Sequence, residues 1–141
     1  MSAVQEKLAG RFAYKFGGHA IASGNDYLLK GVGYFTLAKD GTLTGHHKFS
    51  LLLLANTDQL ITGGYKLAGS ITMSDDGTGS AAITFTPDPG TTTDGSNAKF
   101  HVVMGGDYDN LWFVSAGGTR VGSNAPTTEL TLLEAVRATS P

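Results

Sequence analysis

Two Asp-Gly dipeptides, each set between runs of alternating apolar and polar residues, constrain this chain most. One lies in Tyr34–Gly45, at Asp40-Gly41. The other lies in Ser70–Ser80, at Asp76-Gly77. Asp-Gly between alternating runs is a strong short-range signal for a β-hairpin. The loop can hold two residues, or three with a glycine bulge, and the pattern separates the two. In the second hairpin the three-residue register puts Ile71 and Met73 on one face with Ala81, Ile83 and Phe85. The two-residue register opposes them to Thr84 and Thr86 instead. A one-residue slip reverses every face, so the three-residue register is expected. In the first hairpin it groups Phe35 and Leu37 with Leu43, His47, Phe49, Leu51 and Leu53. Tyr34, Thr36, Thr44, His46 and Lys48 then face solvent.

The rest of the chain follows the same plan. Strands are expected over Gly10–Phe16, Leu29–Ala38, Leu43–Leu54, Leu60–Met73, Ser80–Thr86, Ala98–Gly105, Leu111–Ala116 and Thr128–Arg137. The segment Gly17–Asn25 reads as a Gly/Ser/Asn loop, and Pro87-Asp88-Pro89-Gly90 opens a longer one. Turns are expected at Gly105-Gly106-Asp107 and Gly117-Gly118. A helical turn fits in the first ten residues, and another at Asn25–Leu29. No segment of helical length shows a 3.6-residue period, so a βαβ alternation is excluded. The 20 glycines, about twice the usual share, lack a collagen period and suit turns, bulges and curved strands. The 141 residues suggest one domain, 1–141. Short strands at even spacing give an all-β fold: a closed antiparallel up-and-down β-barrel of about eight strands, with the last strand pairing to the first.

The succession Gly31-Val-Gly-Tyr-Phe-Thr-Leu, Asp40-Gly-Thr-Leu-Thr-Gly, Gly69-Ser-Ile-Thr-Met, Asp76-Gly-Thr-Gly-Ser-Ala-Ala-Ile-Thr-Phe and Phe100-His-Val-Val-Met resembles a group of small bacterial proteins of unknown function. Their barrels are similar to lipocalins and to the allene oxide cyclase barrel. The resemblance spans about Gly31 to Ser115. It implies a barrel with an apolar interior, sometimes a bound ligand, and often a homo-oligomer. Its motifs are turn and strand motifs, so it implies no catalytic residue.

Composition narrows the function classes. The net charge is −2, and Lys and Arg are scattered singly, so nucleic acid is not an expected partner. The absence of Cys excludes disulfides and thiolate chemistry and fits a cytoplasmic location. The N-terminal Met1–Lys7 is polar, with no apolar h-region, and the apolar run Leu51–Ala55 is too short to span a membrane. No cofactor and no membrane partner are expected. Gly-x-Ser-x-Gly, Walker A and His-Glu-x-x-His motifs are absent.

The candidate site residues follow from the expected interior. His46 and His47 are adjacent in a strand and face opposite ways, so they cannot chelate one metal ion together. His47 falls on the apolar face. There it is either a general base or ligand-orienting group, or a core His satisfied by a neighbouring hydroxyl or carbonyl. Phe35 and Phe49 share its face, with Tyr34 or Tyr65 as accessory groups. His101 lies between Phe100 and Val102, and its direction is open. A zinc site would need His47, His101 and a third ligand to converge, which no spacing requires. Glu129 and Glu134 face opposite ways. Arg11, Arg120 and Arg137 could each supply an inward cation, and Arg120 is expected at a hairpin tip near the barrel mouth.

The leading expectation is a barrel that binds a small apolar ligand without catalysis. A cyclase- or isomerase-like enzyme using the same cavity is the second. An oligomeric structural or interaction module with a filled barrel is the third. A cavity beside His47 would separate the first two from the third.

Overall fold

The structure, a computed structural model, describes residues 2–22, 25–54, 59–121 and 128–139. Eight strands form one closed barrel in sequential order: β1 (Gly10–Ala22), β2 (Asn25–Leu37), β3 (Thr42–Leu53), β4 (Leu60–Met73), β5 (Thr78–Pro87), β6 (Ser96–Gly105), β7 (Asn110–Arg120) and β8 (Thr128–Thr139). Every neighbouring pair is antiparallel, and β8 pairs with β1 from Ile21↔Thr128 to Arg11↔Thr139. β8 also pairs with β7, from Asn110↔Val136 to Val114↔Leu132, which closes the sheet on itself. This is the architecture expected from the hairpin pattern.

Both Asp-Gly hairpins take the bulged three-residue register. Leu37 pairs with Leu43, the Ala38 amide donates to the Thr42 carbonyl at 2.9 Å, and Gly41 sits at φ +93°. The second hairpin repeats this, with the Ser74 amide on the Thr78 carbonyl at 2.8 Å and Gly77 at φ +84°. A side chain at such a φ is strained, which explains glycine at the third loop position. The register turns Phe35, Leu37, Leu43, Phe49, Ile71, Met73, Ile83 and Phe85 into the core, as expected.

The segment Gly17–Asn25 departs from expectation. β1 continues through it to Ala22 and β2 begins at Asn25, so the expected loop and the helical turn over Asn25–Leu29 are one long hairpin. Ser23 and Gly24 lie outside the described residues. At Gly18 a Cβ would stand 2.1 Å from the Leu130 carbonyl oxygen of β8. The missing side chain lets two strands press together where the barrel wall curves. Glycine here marks curvature rather than a turn. The same holds at Gly117-Gly118, which lie inside β7: Gly117, at φ +137°, sits beside a register shift at Lys99/Phe100.

One end of the barrel is plugged. The short helix α1 (Ala3–Lys7) is capped by Ser2, whose Oγ accepts from the Gln5 amide at 3.1 Å and donates to the Met73 carbonyl at 2.7 Å. Gln5 Oε1 accepts from the Met73 amide at 3.0 Å, and Val4 and Leu8 join the core. Arg137, a candidate inward cation, instead ties this end together. Its guanidinium donates to the carbonyls of Ala9 at 2.9 Å and Tyr108 at 2.8 Å, and lies 4.9 Å from the Phe12 ring centre.

The interior is filled by setting large residues beside missing ones. Tyr14, Gly33, His47 and Tyr65 form one cross-strand row over β1–β4. A Cβ at Gly33 would stand 2.5 Å from the His47 Cβ and 2.6 Å from the His46 carbonyl oxygen. Gly33→Ala is therefore expected to lower stability by about 1–3 kcal/mol in urea denaturation, as overpacked cores do. Gly106→Ala, which meets nothing within 4 Å, should stay within about 0.5 kcal/mol of wild type. Equal effects from the two would contradict this packing account.

Candidate functional site

The end of the barrel opposite α1 holds a cavity of about 500 Å³. Its inner part is lined by aromatic side chains that the alternation of β1, β3, β5 and β6 turns inward: Phe16, Phe49, Phe85 and Phe100. Below them Phe12, Phe35, Leu67 and Phe113 are fully packed and close it off.

His47 is the polar group among these rings. It is 7% exposed and lines the cavity. The ring centres of Phe16, Phe85 and Tyr65 stand 4.6, 5.3 and 5.5 Å from its own. Its Nδ1 lies 2.7 Å from the Tyr14 hydroxyl, across β2. The two side chains meet because Gly33, between them in the row, has none.

That hydrogen bond fixes the state of the imidazole. Tyr14 is 4% exposed, and its hydroxyl has no other partner among the described residues. Burial pushes the phenol pKa up, so the hydroxyl keeps its proton. A buried O–H left without an acceptor is costly, so Tyr14 donates and His47 Nδ1 accepts. Burial pushes the His47 pKa down to about 4; the nearby His46 adds to the shift and Asp88 opposes it. The ring is therefore neutral near pH 7, with its one hydrogen on Nε2. His47 Nε2 has no hydrogen-bond partner among the described residues. The site thus offers a hydrogen-bond donor within an aromatic pocket. As a general base, His47 would need a free lone pair, and the Tyr14 bond occupies it.

The mouth is more polar. The connection after β5 folds back over β4. There Thr91 Oγ1 accepts from the Gly64 amide at 3.1 Å, and the Tyr65 hydroxyl donates to the Asp94 carbonyl at 3.0 Å while pairing with Thr93 Oγ1. Outside the wall, His46 Nε2 meets Asp88 Oδ2 at 2.6 Å, which holds the Asp88 carboxyl below its ordinary range. Across the cavity, Thr131 donates to Glu129 Oε1 at 2.5 Å, and its amide donates to Ser115 Oγ at 2.9 Å. Arg120 ends β7 at this rim.

The candidate residues therefore divide. His47, Phe49, Tyr65 and Arg120 line the cavity. Phe35 is buried beneath it, stacked on Phe12 at 5.2 Å. Tyr34 lies on the outer wall under the Arg11 guanidinium, 4.1 Å from its ring centre, because its register position alternates out. His101 also faces out, between the inward Phe100 and Val102, so it cannot join His47 on a metal ion. Among the described residues no group of three or more His, Asp or Glu could hold a metal ion. Glu134 faces out to Lys15 at 3.5 Å, while Glu129 lines the cavity, as their odd spacing requires. Sequence reasoning did not single out Tyr14 and missed its bond to His47. The Gly33 position opposite both was the available signal.

No protein-family model matches the chain. No curated protein matches it in sequence. Among solved structures it is similar to an S-type phycobiliprotein lyase from Guillardia theta, at 14% identity and a TM-score of 0.45, over 97% of this chain and 92% of that one. It is also similar to Rv2717c from M. tuberculosis, at 14% identity and a TM-score of 0.33, over 99% of each chain. No helix among the described residues is long and apolar enough to cross a membrane.

The buried neutral His47 has a consequence for stability. An unfolded chain binds a proton at His47 below about pH 6.5, whereas the folded chain binds it only near pH 4. Between these values the unfolded state holds more protons, so stability falls as pH falls. The contribution is about 1.4 kcal/mol per pH unit, roughly 3 kcal/mol over the window. His47→Gln keeps an acceptor for Tyr14 and should show a shallower loss by that amount in denaturation between pH 6.5 and 4. Parallel curves for the two proteins would contradict a neutral buried His47.

Proposed function

We propose that this protein binds a small apolar ligand inside its barrel. The observation that supports the reading is the cavity itself: about 500 Å³, aromatic within and polar at the rim. Volumes of roughly 300–1,000 Å³, lined by apolar side chains with a few placed polar groups, are typical of small-molecule sites. A solidly filled barrel would have favoured a structural module instead.

The catalytic alternative draws less support. A cyclase or isomerase would need a group poised to move a proton. His47 has its acceptor nitrogen engaged by Tyr14 and a pKa pushed down to about 4. It can orient a ligand by donating a hydrogen bond, but it is a poor general base near neutral pH.

The test is occupancy of the cavity by a neutral probe. N-phenyl-1-naphthylamine should bind one per chain with enhanced fluorescence. Ala98 lines the cavity and is partly buried, so Ala98→Phe fills the space without touching the closed end. This variant should keep its β circular dichroism spectrum and lose at least tenfold in affinity. Unchanged binding would place the dye elsewhere and remove the support for a barrel site.

A further inference from the structure

We propose that the ligand is a planar apolar carbonyl compound whose oxygen accepts a hydrogen bond from His47 Nε2–H at the inner end of the barrel; this rests on the reading that the cavity binds a small molecule. Three observations combine. First, His47 is more than nine-tenths buried yet lines the cavity, and its Nε2 has no partner among the described residues. No fully buried side-chain nitrogen or oxygen among the described residues lacks a partner, so Nε2 opens to the cavity, where a ligand acceptor can take the place of water. Second, the Tyr14 hydroxyl at 2.7 Å holds Nδ1 as the acceptor, so what faces the ligand is N–H and not a lone pair. The site therefore selects an acceptor and rejects a hydroxyl or amine presented as donor only. Third, the surrounding groups are aromatic rings. Phe16 and Phe85 stand beside the imidazole, and Phe49 stacks on Tyr65 with centres 5.1 Å apart. A cavity walled by aromatic rings favours a flat, aromatic body through edge-to-face or offset contacts.

The neutral imidazole also sets the charge of the preferred acceptor. A carboxylate driven to this depth would lose its hydration and meet no cation there. Arg120 and Glu129 both stand among the mouth-lining groups, away from the aromatic inner end. A neutral carbonyl gives up far less hydration and recovers it in one hydrogen bond. The rim, with Thr92, Thr93, Asp94, Arg120 and Glu129, accepts a polar far end or leaves it in water.

A matched pair of probes tests the assignment. 2-Acetylnaphthalene and 2-ethylnaphthalene have nearly the same shape, and only the first carries an acceptor. Without a donor in the site the ethyl compound, being more apolar, binds more tightly. With His47 Nε2–H in place, the acetyl compound should bind the wild-type protein about tenfold more tightly, the size of one net hydrogen bond at the upper end of its range. His47→Phe should reverse the order. A measurement that needs no variant accompanies it: the infrared band of the 13C-labelled carbonyl should fall to lower wavenumber when bound than in hexane. Equal affinities, or tighter binding of the ethyl compound, with an unshifted band would overturn the carbonyl assignment and leave the cavity reading standing. Failure of both probes to bind the wild-type protein would overturn the cavity reading as well.

Discussion

The hydrogen bond between Tyr14 and His47 is the contact on which the site depends. It joins β1 to β3 across an intervening strand, which is feasible only because Gly33 leaves the space between them empty. It settles three things at once. The phenol gains its acceptor, the imidazole is fixed with hydrogen on Nε2, and the remaining N–H is set among the rings of Phe16, Tyr65 and Phe85. A buried polar pair that satisfies itself would be structural and silent. Here one donor of the pair is left over, at the edge of the cavity.

The two ends of the barrel show opposite uses of the same alternation. At the plugged end the inward positions carry Phe12, Phe35, Leu43, Ile71 and Phe113, all nearly inaccessible, and helix α1 covers them. Arg137 then binds backbone carbonyls from the N-terminal segment and from the turn before β7. At the open end the lining from β1, β6 and β7 includes the small residues Ala20, Ala98, Ser115 and Gly117, while Tyr27, Leu29, Leu51 and Ile61 line it from β2–β4. An eight-stranded barrel is just wide enough to be filled by side chains or to hold one small ligand. This chain does the first in one half and the second in the other.

Much of this was legible in the sequence because β-strand alternation is strict. Two bulged Asp-Gly turns fixed the phase of β2–β5, and the phase fixed which way Phe35, His47, Phe49 and Phe85 point. Strand limits were harder to read where glycine fell inside a strand. Gly17-Gly18 and Gly117-Gly118 resemble turns by composition; the close approach of Leu130 to Gly18, and the positive φ and register shift at Gly117, show that they lie inside strands. The site was half legible. His47 and Phe49 follow from phase, but Tyr65 needed pairing across β3–β4, and Tyr14 needed the closed order that sets β1 two strands from His47. Tyr34 and His101 were misplaced as site residues for a simpler reason. Chemistry-bearing side chains next to inward positions attract notice, yet adjacency in a strand sends them outward.

The central claim is that His47 is held as a neutral imidazole with its hydrogen on Nε2. It is tested most directly by NMR of the protein labelled with 15N at histidine, followed over pH 5–8. The account predicts one ring that does not titrate over this range, with a protonated Nε2 and an unprotonated, hydrogen-bonded Nδ1, and whose signal is lost in His47→Gln. A His47 ring that titrates near pH 6.5, or that carries its hydrogen on Nδ1, would contradict it.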